Sequence, residues 1–177
     1  GHPLPSSEPI QVVAHALMNG LIVAIKGLGG YHLACDANNS DTVIRIRQNP
    51  PRDEKPLAVM AANLEGAKAL CEVTPEDEQL LCSIERPIVL LKRRQNAPLA
   101  PEVSQSSPDL GVMLPYTPLH HLLLKAVSGA PLVMTSGNAS DQPIVFRDSE
   151  LLPRLGGLSD LLLCHDRPIE VRCDDSI

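Results

Sequence analysis

The sequence has no tryptophan, one phenylalanine and two tyrosines in 177 residues. Its core must therefore be aliphatic, and few rings are left to stack on bases, which counts against a single-stranded nucleic-acid binder built on aromatic platforms. Excess positive charge is lacking too. Fifteen Lys and Arg against 21 Asp and Glu give a formal charge of -6, which opposes a long polyanion as the main ligand, because affinity for phosphate backbones comes from clustered cations. A small phosphate ligand held by a few local cations remains open. No C-x-x-C pair exists among the five cysteines Cys35, Cys71, Cys82, Cys164 and Cys173; an odd number so widely spaced reads as reduced thiols rather than a zinc or disulfide framework. No stretch reaches the roughly 18 apolar residues of a membrane span, and the opening GHPLPSSEP has no apolar signal region. These features predict a soluble cytoplasmic protein with no membrane partner.

What remains is 44% apolar residues in a chain the length of one domain, enough to bury a core without metals or disulfides. Gly1–His2 read as a tag remnant, residues 1–9 as remnant and linker, and residues 10–177 as a domain from a longer protein. Helical spacing covers Ile10–Asn19 up to Gly20, Asp41–Arg47 behind Asn39 or Ser40, Leu64–Cys71, a segment starting at Thr74, Pro118–Val127 and Asp148–Leu155. Short apolar runs predict strands at Leu21–Ile25, Leu57–Ala61, Pro87–Lys92, Gly111–Leu114, Leu132–Thr135, Leu161–Cys164 and Ile169–Arg172. Lys26–His32 reads as a glycine-rich turn and Gln95–Pro108, rich in Pro, Ser and Ala, as a surface loop. Alternating strands and helices indicate an α/β domain with a mixed sheet.

Three loops at strand ends could carry chemistry, where open α/β sheets place their ligands. In Lys26–His32, glycines let the backbone approach a phosphate while Lys26 and His32 could supply charge or a proton, but taken alone these residues favour a plain tight turn, and neither a G-K-[ST] nor a G-x-G-x-x-G pattern is present. Arg52-Asp53-Glu54-Lys55-Pro56 sets two cations on a proline-stiffened loop, either as phosphate ligands or as ordinary solvated charges. Thr135-Ser136-Gly137-Asn138 clusters hydroxyls and a carboxamide able to bond phosphate or sugar oxygens, or to form an Asx turn. His120–His121 cannot chelate a metal together, since neighbours on a helix point about 100° apart. Asp174–Asp175 would face opposite sides of a strand, so at most one could meet Mg²⁺.

Six strings in order, KGLGGYHLACDA (Lys26–Ala37), RDEKPLAVM (Arg52–Met60), RPIVLL (Arg86–Leu91), GVMLPYTPLHHLLL (Gly111–Leu124), PLVMTSGNAS (Pro131–Ser140) and HDRPIEVRCDDS (His165–Ser176), resemble the YrdC-like domain of HypF-type hydrogenase maturation carbamoyltransferases. The resemblance spans nearly the whole chain. It implies an α/β fold with a twisted mixed sheet, flanking helices and a concave nucleotide-binding cavity. It also implies a reaction in which ATP, with Mg²⁺, and carbamate form carbamoyl-adenylate and pyrophosphate. Full-length members add acylphosphatase-like and zinc-finger segments before this domain and a carbamoyl-transfer domain after it. They hand the carbamoyl group to the C-terminal cysteine of HypE, toward the cyanide ligands of [NiFe] hydrogenase.

By the same resemblance, His32, Arg52 and Lys55 would be catalytic, the two cations neutralising carbamate, α-phosphate and departing pyrophosphate. Lys26, Tyr31, Arg52, Lys55, Thr135, Ser136, Asn138, Arg172 and Ser176 would contact the nucleotide, and no protein metal site is implied. The chain departs from the family pattern at Pro50, where a basic residue two before the arginine is usual; Lys26 or Arg47 could supply that cation instead. Two other readings stand beside this one: a threonylcarbamoyl-adenylate synthase of tRNA modification, whose first loop typically reads P-T-[DE]-[TA]-[VC]-[YF]-G rather than Lys26–His32, and a noncatalytic RNA-binding module, which the net charge opposes.

Overall fold

The computed structural model describes residues 7–48, 57–105, 107–138 and 142–173. Helix α1 (Pro9–Met18) starts with proline at its first position, where the missing N–H would have had no partner. It ends before Gly20, whose φ of +76° suits glycine and turns the chain into the sheet. Strand β1 (Val23–Lys26) and strand β2 (Tyr31–Asp36) form a hairpin. Then follow α2 (Ser40–Gln48), β3 (Val59–Met60), α3 (Leu64–Leu70), α4 (Pro75–Cys82), β4 (Val89–Lys92), β5 (Asp109–Met113), α5 (Pro118–Ala126), β6 (Leu132–Ser136), α6 (Asp148–Leu155) and β7 (Leu161–Leu163). Side chains close several helix starts: Asn63 accepts from Gly66 N, Thr117 from His120 N, and Thr74 with Asp77 forms a reciprocal capping box.

The seven strands lie in the order β4-β5-β3-β6-β2-β1-β7. Pairs β1/β7 and β3/β5 are parallel and the other four antiparallel, so the sheet is mixed, as the alternation of elements predicts. Helices cover both faces. Val23, Ile25, Ala34 and Met134 face α1 and α5, meeting Leu17, Leu123 and Leu124. Ala24, Leu33, Cys35 and Val133 face the other way, toward Val43 and Ile46 of α2 and Leu151 and Leu155 of α6. Leu17 is fully buried, and excluding such a side chain from water stabilises the fold by about 2 kcal/mol. Among the described residues no helix is long and apolar enough to cross a membrane.

Three sequence expectations change. The glycine-rich turn is shorter than Lys26–His32: Lys26 ends β1, and Tyr31 and His32 open β2, an internal strand buried along its whole length. Hydrophobic residues on both sides of Ala34 leave no alternation to reveal such a strand, and the glycines just before it read as loop. The Gln95–Pro108 segment is no loose surface loop, because Ala97, Leu99, Ala100 and Val103 are buried and a short 3-10 turn forms at Pro101–Val103. Arg93 holds it from inside, donating to Leu99 O at 2.7 Å and Ser104 Oγ at 3.0 Å. Ile169–Arg172 is not a strand; after β7 the chain runs to Cys173 without pairing as one. Among the described residues this segment pairs with no strand of the sheet.

Candidate functional site

The β1–β2 turn lies at one end of the central strands, with the Ser136–Asn138 loop beside it. His32 is the cross-strand partner of Ser136, and Leu33 of Thr135. Partners in an antiparallel pair point to one face and successive residues to opposite faces. His32 and Ser136 therefore share the α1/α5 face, while Tyr31, Lys26 and Thr135 belong to the α6 face. The sheet thus divides the residues singled out from sequence into two sets.

On the first face, His32 is buried and its ring lies against Gly27. A Cβ at Gly27 would stand 2.9 Å from Gly30 O and 3.0 Å from His32 Nδ1, so the turn can close over the imidazole only with glycine there. Ser136 donates to Asn138 Oδ1 at 2.6 Å, and Asn138 Nδ2 donates to Gln142 O at 2.7 Å. That chain of bonds ties the loop together while keeping both side chains partly exposed.

On the second face lies a half-buried polar cluster. The Lys26 ammonium, with no exposed side-chain surface, reaches both Asp148 carboxylate oxygens at 2.8 Å and donates to His165 O at 3.0 Å. The Tyr31 hydroxyl donates to Asp148 Oδ1 at 2.6 Å, with Cys164 Sγ at 3.9 Å. Burial, reinforced by the bond to Asp148, pushes the Tyr31 phenol well above its usual range. Hydrogen bonds from Lys26 and then Tyr31 hold Asp148 below the ordinary carboxylate value, although 62% of its side chain is exposed. Burial raises the Cys164 thiol. Lys26 and Tyr31 thus direct their polar ends into the protein.

Two open clefts flank the segment after β7. One, of about 530 Å³, is walled by Lys26–Leu28, the α5 start at Thr117–Leu119, and residues 165–168, 170 and 171. The other, of about 680 Å³, is walled by Pro143, Ile144, Phe146, Arg147, Glu150 and Arg154 together with Glu170–Arg172. Glu170 and Val171 border both. Three arginines and two glutamates line the second cleft, and Arg147 and Arg154 both pair with Glu150. Arg154 donates to Glu150, Gln142 Oε1 and Pro143 O, while Arg147 lies 4.9 Å from the Phe146 ring and is exposed, as is Arg172.

Arg52, Lys55 and Ser176, with Pro50, lie outside the described residues. Neither suggested substitute for the family's missing cation is free to move to a ligand. Lys26 is held by Asp148, and Arg47 is buried, donating through Nε to Glu102 O and through Nη2 to Val103 O at 2.8 Å. Burial lowers its pKa. His120 is buried against Tyr116, ring centroids 4.6 Å apart, whereas His121 is exposed, so the pair diverges as helix geometry requires. Among the described residues no group of three acidic, histidine or cysteine side chains could hold a metal ion. Asp148 and Arg147 carried no signal in the sequence beyond a helix start; the hint to Asp148 was indirect, since a lysine closing an apolar strand needs a counterion.

Residues 15–177 match the family model described as "Telomere recombination", which groups Sua5, YciO and YrdC proteins. The carbamoyltransferase HypF2 of Cupriavidus necator is 45% identical over 195 residues, an alignment that takes in 100% of this chain and 24% of that protein. The chain thus spans about a quarter of the length of the curated relatives it matches. A solved full-length HypF in phosphate- and nucleotide-bound form superposes with a TM-score of 0.92 at 44% identity, over 99% of this chain and 23% of that one. Sua5 of P. abyssi complexed with L-threonine, at 18% identity and TM-score 0.79 over 94% of this chain and 49% of that one, shares the fold alone. The chain belongs to the Sua5/YciO/YrdC family, and within it resembles a single segment of the HypF carbamoyltransferases.

Proposed function

We propose that the chain is the carbamoyl-adenylate-forming module of a HypF-type carbamoyltransferase acting in the cytoplasm. The observation that carries this reading is its similarity, over essentially its whole length, to HypF in a nucleotide-bound form. A carbamate oxygen attacks the α-phosphorus of ATP, a phosphorus–oxygen bond forms, and the bond to pyrophosphate breaks. Both partners are anions, so the site must neutralise charge where it accumulates. Arg52 and Lys55 are assigned that role, with Arg172 at the arginine-lined cleft. Ser136 and Asn138 hold phosphate or ribose oxygens and Ser176 completes the nucleotide contacts, while Thr135, on the opposite face of the sheet, is left out of them. His32, which stands across from Ser136 on the same face, is assigned to the acyl end by the family resemblance. Lys26 and Tyr31 act through Asp148. Mg²⁺ would arrive on the triphosphate, since it keeps several waters and binds through substrate phosphates rather than a protein cage.

Carbamate comes from carbamoyl phosphate hydrolysed by an acylphosphatase-like domain; zinc-finger segments adjoin that domain. The adenylate passes to a carbamoyl-transfer domain and thence to the HypE C-terminal cysteine. Adenylates and carbamates both hydrolyse in water, which favours direct passage. The test incubates the protein with ATP, Mg²⁺ and ammonium bicarbonate, which contains carbamate, and measures pyrophosphate release. Carbamate-dependent release is expected, with no stimulation by L-threonine. Release that requires L-threonine would sink the assignment in favour of a threonylcarbamoyl-adenylate synthase.

A further inference from the structure

Among the described residues the segment after β7 pairs with no strand, yet it is fixed at two points. Lys26 Nζ donates to His165 O at 3.0 Å, and Cys173 N donates to Gly29 O at 3.1 Å. At the second point the chains are so close that a Cβ on Gly29 would stand within 2.8 Å of Cys173 N, so only glycine admits the crossing. Between these points run Arg167, Glu170, Val171 and Arg172, which border the two clefts. A buried ammonium is costly unless its charge is met, and Asp148 is the carboxylate that meets Lys26. Its Oδ1 also accepts the Tyr31 hydroxyl, which locks the same carboxylate against β2.

We propose that Asp148 is a positioning residue: by holding Lys26 it straps residues 165–173 across the glycine turn and sets Arg172 at the arginine-lined cleft. The contact is indirect, because Asp148 touches Lys26 and Tyr31 while Arg172 lies at the far end of the strap. The consequence for nucleotide rests on the reading above; the consequence for the strap does not.

Amide hydrogen exchange and calorimetric titration with ATP and Mg²⁺ test it on the full chain. In Asp148→Ala the Cys173 amide should exchange at least about tenfold faster, the expected result of losing a charge-assisted anchor, while Leu33 in β2 keeps its protection. Asp148→Glu should restore most of the Cys173 protection. ATP affinity should fall about tenfold in Arg172→Ala but no further when that change is added to Asp148→Ala. Additive losses, or unchanged Cys173 protection, would overturn the proposal. Should Asp148→Ala also expose Leu33, Asp148→Asn, which keeps an acceptor for Tyr31, decides the same two readouts. If the unaltered chain and Ser136→Ala bind ATP alike or not at all, the nucleotide reading fails, and Cys173 exchange alone decides the strap.

Discussion

His32 on β2 stands directly across the sheet from Ser136 on β6, and Thr135 points to the opposite face. Ser136→Ala should therefore weaken ATP binding about tenfold, the loss of one hydrogen bond to a charged group, whereas Thr135→Ala should change it less than threefold. Calorimetry on both variants checks this. An equal loss in the two would mean that the nucleotide does not distinguish the faces.

Gly137 is held where no other residue fits. Its added Cβ would lie 2.5 Å from Tyr31 O, and that oxygen cannot retreat because it accepts the Gly137 N–H at 2.7 Å. Gly137→Ala should lower unfolding free energy by about 1–3 kcal/mol through enforced backbone displacement. Gly157→Ala, with nothing within 4 Å, is the matched control and should be near neutral. Urea denaturation distinguishes them.

Arg47 fastens the end of α2 to the short turn at Pro101–Val103. Arg47→Ala should cost about 2 kcal/mol, because buried carbonyls lose a charged donor. Thr74→Ala, which breaks only the exposed capping box of α4, should cost about 1 kcal/mol. The order of the two midpoints in urea is the measurement.

Stability should fall on the alkaline side. Burial raises the thiols of Cys35 and Cys71, the latter from 9.0 to about 11, and lifts the Tyr31 phenol above its ordinary 10.0. In each case the folded state binds the proton more tightly than the unfolded state. The stabilisation is complete below the unfolded value and is lost as pH climbs toward the folded one. Unfolding free energy should thus decline from pH 9.0 upward, and Cys71→Ala should make that decline shallower. An unchanged slope in the variant would show that Cys71 does not contribute.

Most of the architecture could be read from local pattern. Proline and threonine mark helix starts at Pro9, Thr74 and Thr117, and the apolar runs at Val23–Ile25 and Leu132–Met134 are strands because both faces are covered. What local pattern could not reveal depends on partners far along the chain. Tyr31 and His32 read as the end of a glycine-rich turn and the following residues as no element; only pairing with β1 and β6 makes Tyr31–Asp36 a strand. Arg93 turns an apparently loose proline-rich stretch into packed structure through carbonyls it reaches from β4's end. For the site, the strings around Ser136 and Arg172 were legible as motifs. That Lys26 serves Asp148 was not, since 122 residues separate them.

The scarcity of rings has a practical consequence. With no tryptophan, the near-ultraviolet signal comes chiefly from Tyr31, sealed in the Lys26–Asp148 cluster, and from Tyr116, packed on His120 beside the α5 start. The two report on different faces of one sheet. A bound adenine would absorb against a nearly transparent protein, so difference spectra of single Tyr→Phe variants can tell which face a ligand disturbs without any attached label.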